Sequence, residues 1–164
     1  MKIINYPNPV LLRRADPIEE VDDEIREKVE QMIVLMHEAK GVGLAAPQVG
    51  WSARLFVTNP SGDPGDDHVF INPSIQRKGK KERGEEGCLS LPQIYIQVER
   101  AKHVDVTYTD LEGKPCVENH SDFAARVIQH EFDHLEGILL VHKMSPTDRI
   151  QFKDVLRELE ATTQ

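Results

Sequence analysis

The sequence predicts an α+β fold: short, mainly antiparallel strands packed around a central H-E-x-x-H helix, with a further helix near each end. Three observations carry that prediction. His130-Glu131-Phe132-Asp133-His134 forms the H-E-x-x-H pattern inside a stretch of good helix formers. An early segment repeats its apolar residues at helical spacing. Between the two, the chain alternates as strands do and is punctuated by glycine and proline turns.

The central helix has the clearest signals. Positions i and i+4 of an α-helix lie one above the other, so both imidazoles of His130 and His134 can reach one metal ion. Glu131, beside the first histidine, is then placed to act as general base on an attacking water instead of as a ligand. Phe123 to Gln129 runs into the motif without a breaker. Ser121 or Asp122 is a suitable N-cap, and Gly137 a natural stop. Phe123, Val127, Ile128 and Leu135 supply an apolar stripe that buries one side. A buried histidine pair needs a partner, and a metal is the simplest one.

Taken in order, residues 1 to 20 are irregular, broken by Pro7, Pro9 and Pro17. A helix is expected from Asp22 or Asp23 to Lys40, with Ile25, Val29, Met32, Ile33 and Met36 as its core face, acids in its first turn and Gly41 after its end. Gly41 to Gly50 is glycine- and alanine-rich, which suits a backbone that approaches something closely, but its spacing fits no phosphate loop or dinucleotide fingerprint. Arg54 to Thr58 and Val69 to Asn72 read as short strands, and Gln76 to Gly84 as a charged connection. Ile94 to Val98 and His103 to Thr109 read as two strands, the second leading through a turn at Leu111 to Lys114 into Pro115 to Glu118. A last helix from Pro146 or Thr147 buries Ile150, Phe152, Val155, Leu156 and Leu159, with Thr162 to Gln164 fraying.

At 164 residues the chain is expected to be one domain, 1–164, with 39% hydrophobic and 29% charged residues. Its net charge of −8 argues against a DNA-binding face. No apolar run approaches the ~20 residues of a membrane span, and the N-terminus lacks a signal layout. Two cysteines, Cys88 and Cys116, are too few for a disulfide framework.

A catalytic site usually takes three protein ligands and leaves a position for water. The histidine that one peptidase pattern puts after the glycine is Leu140 here, and Glu158 and Glu160 lie on an ordinary charged helix face. Cys88 stands in a turned segment, Glu86 to Pro92, that can present a thiolate, and its spacing alone leaves it open as a ligand or as an inert buried thiol. Cys116 reads as structural. A closed structural site would need a fourth ligand, for which His120 and His142 are the nearby candidates in sequence.

Gly41-Val42-Gly43-Leu44-Ala45-Ala46-Pro47-Gln48, Glu86-Gly87-Cys88-Leu89-Ser90 and Gln129-His130-Glu131-Phe132-Asp133-His134 occur in that order, and together they make the chain resemble the bacterial-type polypeptide deformylases over nearly its whole length. The resemblance implies a metal-dependent amide hydrolase that removes the formyl group from N-terminal formyl-methionine of new polypeptides. It implies Cys88, His130 and His134 as ligands of one divalent metal ion, with Glu131 as the proton carrier. Gln48, by its side-chain amide, and Leu89, by its backbone N–H, are then the oxyanion donors. Iron(II) is the expected metal in the cell, while two imidazoles and a thiolate suit zinc, nickel or cobalt equally. An extended substrate is expected to pair with backbone near Gly43, and Val42, Phe123 and Val127 to line the methionine pocket. Arg126 and Tyr95 are placed to touch later substrate residues. A monomer in the bacterial cytoplasm, with a ribosome contact and no DNA or membrane partner, completes the expectation.

Overall fold

The computed structural model describes residues 1–162. Its helices are α1 (Asp23–Glu38), α2 (Asp122–Leu135), α3 (Pro146–Gln151) and α4 (Lys153–Thr162); its strands are β1 (Gly43–Ala45), β2 (Leu55–Thr58), β3 (His68–Cys88), β4 (Leu91–Thr109) and β5 (Pro115–Ser121). The strands form one antiparallel sheet in the order β1-β2-β3-β4-β5, so β1 and β5 are its edges. The fold is α+β as the sequence predicts.

Helix α1 starts where Asp22 Oδ1 accepts from the Ile25 N–H at 2.9 Å. Its Val29, Met32 and Met36 are fully buried against Leu44, Leu55, Val57 and Ile71 of the sheet. Burial of side chains of this size stabilises the fold by about 1.5–3 kcal/mol each. Helix α2 buries Ala125, Ile128 and Leu135 against Phe56, Phe70, Val104 and Val106. It therefore lies on the sheet, and a third cluster joins Leu91, Ile94 and Ile96 of β4 to Leu156 and Leu159 of α4. Gly137, at φ 73°, ends the segment after α2, in a conformation glycine takes without strain. Among the described residues no helix is long and apolar enough to cross a membrane.

Two strands are not short. β3 runs for 21 residues and β4 for 19, forming a ribbon that ends in the tight turn Cys88–Leu91. The charged connection expected over Gln76 to Gly84 is strand: Arg77 pairs with Val104 and Glu82 with Arg100 in the ladder. Both its faces carry polar side chains, with Lys78 on Asp105 and Lys102 near Glu82, so apolar alternation never marks it. The two strands read over Ile94 to Thr109 are one, because the residue that interrupts the apolar pattern, Arg100, points inward onto a pair of carboxylates.

The last helix is broken at Phe152 into α3 and α4. Leu156 and Leu159 are buried as expected, but the break takes Ile150 out of the stripe and leaves it 77% exposed. Of the residues expected to fray, Thr162 closes α4, with its hydroxyl donating to the Leu159 carbonyl, and Thr163 and Gln164 lie outside the described residues.

Candidate metal centre

Cys88 ends β3 at the tip of the ribbon, and the ribbon folds that tip over α2. The helix supplies His130 and His134, whose ring centroids are 5.1 Å apart. Cys88 Sγ stands 3.4 Å from His134 Nε2, and one ligand atom from each of Cys88, His130 and His134 lies within 4.8 Å of the others. Among the described residues this is the one such group of histidine, cysteine and carboxylate side chains. Two imidazole nitrogens and a thiol sulfur converging at this range, with a carboxylate behind one imidazole, fit a divalent transition metal.

That carboxylate is Glu86. Its Oε1 accepts from His130 Nδ1 at 2.9 Å, which leaves Nε2 to face Cys88. Arg100 grips Glu86 with two nitrogens at 2.9 Å each and reaches Asp133 Oδ2 at 2.5 Å. Arg126 adds a contact of 2.7 Å to Glu86 Oε2. Burial alone would raise the Glu86 carboxyl, but its bonds to His130 and Arg100 hold it well below the usual carboxylate range. The His130 ring is raised well above its ordinary value: burial opposes its charge, and Cys88 and Glu86 outweigh burial. His134 is lowered by burial first and then by the charge of His130, so it stays in the neutral form that ligates.

Glu131 is 3% exposed, and its Oε1 has no protein hydrogen-bond partner. Burial pushes its carboxyl up to about 7, against the pull of the His130 charge, which is the range that suits a general base. A Cβ on Gly43 would sit 2.5 Å from Glu131 Oε2, so any larger residue where the edge strand passes would push the carboxylate aside. Gln48, buried in the turn after β1, is oriented by the Ala45 N–H, which donates to its Oε1 at 2.9 Å. Its Nε2 therefore points at the centre, 3.2 Å from Ser90 Oγ and 3.5 Å from Cys88 Sγ.

The residues singled out from sequence meet here. Val42, Gly43, Phe123 and Val127 line one cavity of about 470 Å³ that also borders Gln48, Cys88, Leu89, His130 and Glu131. Phe123 is half exposed and stands at its mouth. Tyr95 and Arg126 also line it, but the Arg126 guanidinium is held by Glu86 and two backbone carbonyls. His120 and His142 are elsewhere, bonded to Glu118 and to the Leu139 N–H. Cys116 is free and lies near Asp110. The supporting roles of Glu86, Arg100 and Asp133 escape sequence reading, because partners 14 to 44 residues apart leave no local spacing. Glu86 is the exception in one respect: it stands inside the segment that carries Cys88.

Comparison with known proteins agrees with this geometry. The family model described as polypeptide deformylase matches residues 1–150. A peptide deformylase of Thermotoga sp. (strain RQ2) is 41% identical over 160 residues, 97% of this chain and 96% of the relative. The solved structure of Plasmodium falciparum peptide deformylase superposes with a TM-score of 0.93 at 38% identity, covering 99% of each chain. That of Thermotoga maritima gives 0.84 at 42% identity, over 88% of this chain and 97% of the other. With the motifs, the fold and the clustered cysteine and histidines in agreement, the chain belongs to the polypeptide deformylase family, metal-dependent hydrolases that remove the N-formyl group from new polypeptides.

Proposed function

We propose that Cys88, His130 and His134 hold one divalent metal ion and that Glu131, Gln48 and Leu89 carry the deformylation of formyl-methionyl N-termini around it. The observation that supports this most is the juxtaposition of the three ligand atoms with a buried Glu131 oxygen that has no protein partner. A divalent ion bound there supplies a Lewis acid that makes water nucleophilic near neutral pH and polarises a carbonyl. Glu131 takes a proton from the attacking water. As the formyl carbon becomes tetrahedral, Gln48 Nε2 and the Leu89 N–H donate to the oxygen that turns negative. The carbon–nitrogen bond then breaks, Glu131 passes its proton to the departing amine, and formate leaves.

Substrate binding follows from the same surroundings. β1 is a sheet edge, so an extended peptide can pair with backbone near Gly43 with little regard to its sequence. Val42, Phe123 and Val127 receive the methionine side chain. Iron(II) is the metal we assign in the cell, with zinc, nickel or cobalt able to replace it. The enzyme acts as a monomer in the bacterial cytoplasm, and the lysines and arginine of β3 (Lys78, Lys80, Lys81, Arg83) give it a small basic patch toward the ribosome.

The test is formate release from a formyl-Met tripeptide by protein loaded anaerobically with iron(II) or nickel(II). Glu131→Gln should abolish turnover and keep its metal. Near-normal turnover in that variant would contradict the mechanism.

A further inference from the structure

We propose that Arg126 is a positioning residue for the metal centre: acting through Glu86, it ties the ribbon that carries Cys88 to the helix that carries His130 and His134. The proposal rests on the ligand set given above. Because the ligands come from two elements, the geometry of the centre depends on how firmly β3 and β4 are held to α2.

Arg126 sits one turn before His130 on the same face of α2. Its two terminal nitrogens reach acceptors on both strands of the ribbon. One lies 2.7 Å from Glu86 Oε2 and 2.9 Å from the Val98 carbonyl of β4, and the other 2.8 Å from the Glu82 carbonyl of β3. Glu86 passes the constraint on in two directions. It accepts from His130 Nδ1 at 2.9 Å, and it stands two residues before Cys88 in the same strand. Arg126, Glu86 and His130 thus close a ring with one turn of α2. Arg100 makes the matching tie after His130, from β4 to Asp133.

The ribbon is shaped for this side chain. A Cβ on Gly84 would lie 2.9 Å from Arg126 Cζ, so the strand is reduced to bare backbone where the guanidinium rests. The Arg126 and Glu86 side chains are 15% and 6% exposed, which places their attraction in a weakly screened setting. A lysine offers one point charge on a flexible stem and cannot reproduce three bonds made by a planar fork. Arg126 borders the cavity, but the three bonds of its guanidinium all go to protein acceptors.

The experiment is release of zinc to a chromogenic chelator from fully loaded Arg126→Met, Arg126→Lys, Glu86→Gln and the Arg126→Met/Glu86→Gln double variant, with thermal unfolding of the metal-free proteins alongside. Loss of an outer-shell partner of a ligand typically weakens metal binding about 10–100-fold. We expect release from Arg126→Met to be faster by that factor, Arg126→Lys to fall between it and the wild type, and the double variant to release no faster than Glu86→Gln. Unchanged release from Arg126→Met, or single effects that multiply in the double variant, overturns the proposal. Should Arg126→Met fail to fold, Arg126→Lys against the wild type carries the same comparison. Cys88→Ala serves as control: release as slow as the wild type from that variant would mean that the ligand set, and not the role of Arg126, is wrong.

Discussion

Glu86 Oε1 stands 2.9 Å from His130 Nδ1, and this contact decides which nitrogen of the imidazole faces Cys88. With Nδ1 bonded to the carboxylate, the ring is turned so that Nε2 is the nitrogen offered to an ion, once its own proton has been displaced. The same carboxylate pairs with the guanidinium groups of both Arg100 and Arg126, and Asp133 supplies a second negative charge to Arg100. The centre is thus assembled on a buried ion network as well as on its ligands.

Removing Glu86 should be costly for the whole fold. Its side chain is 6% exposed and that of Arg100 4%, so Glu86→Ala leaves a buried guanidinium with only Asp133 to balance it. Loss of one partner from a buried pair costs about 3–5 kcal/mol. Urea unfolding of the metal-free protein checks this; a loss under about 1 kcal/mol, the scale of an exposed pair, would show that the network is not a stabilising unit.

Gly43→Ala should stop the chemistry while sparing the fold. The added Cβ would lie 2.5 Å from Glu131 Oε2 and 2.9 Å from its Cδ, so the carboxylate must move. A displaced general base lowers turnover by about 10²–10⁴-fold. Formate release and metal content, measured on the same sample, should show turnover lost and metal kept.

Gln48→Ala should lower kcat with little change in KM. The Ala45 N–H fixes the amide so that Nε2 points at the centre, and a donor of this kind acts on charge that appears only in the transition state. The expected loss is about 10²–10³-fold. A rise in KM at constant kcat would reassign Gln48 to ground-state binding.

Metal uptake should release protons and weaken in acid. The His130 pKa is raised well above its ordinary value, with Cys88 and Glu86 outweighing burial, so near neutral pH the metal-free centre carries a proton that a bound ion must displace. As pH falls below that raised value, proton and metal compete more strongly, and apparent affinity drops. Titration with zinc in weakly buffered solution should show proton release at pH 7, and competition with a chelator should show affinity rising from pH 5 to pH 8. Uptake without proton release would contradict this protonation state.

How much of this was legible in the sequence depends on the range of the signal. The spacing of His130 and His134, the helix α1 and the stop at Gly137 are local, and they stand where expected. Leu156 and Leu159 follow the expected stripe, whereas Ile150 does not, because a helix break at Phe152 changes no residue's hydrophobicity. The length of β3 was hidden because Lys78 to Arg83 is strand by virtue of its pairing with Arg83↔Glu99 and Lys81↔Ala101, and a solvated ribbon needs no apolar face. The clamp of Arg100 and Arg126 on Glu86 joins residues 14 and 40 apart and exists only once the ribbon has closed over α2. Arg126, read from sequence as a contact for later substrate residues, does border the cavity, and its bonds to Glu86 and two backbone carbonyls are what the sequence does not show.

The most direct test of the account is one assay on two proteins. Wild-type protein and Cys88→Ala are loaded with iron(II) under argon, analysed for metal, and given a formyl-Met tripeptide while formate is measured. The account predicts about one metal ion per wild-type chain with metal-dependent formate release, and loss of both metal retention and turnover in Cys88→Ala. Wild-type protein that holds its metal yet releases no formate, or a Cys88→Ala protein that retains both, would contradict it.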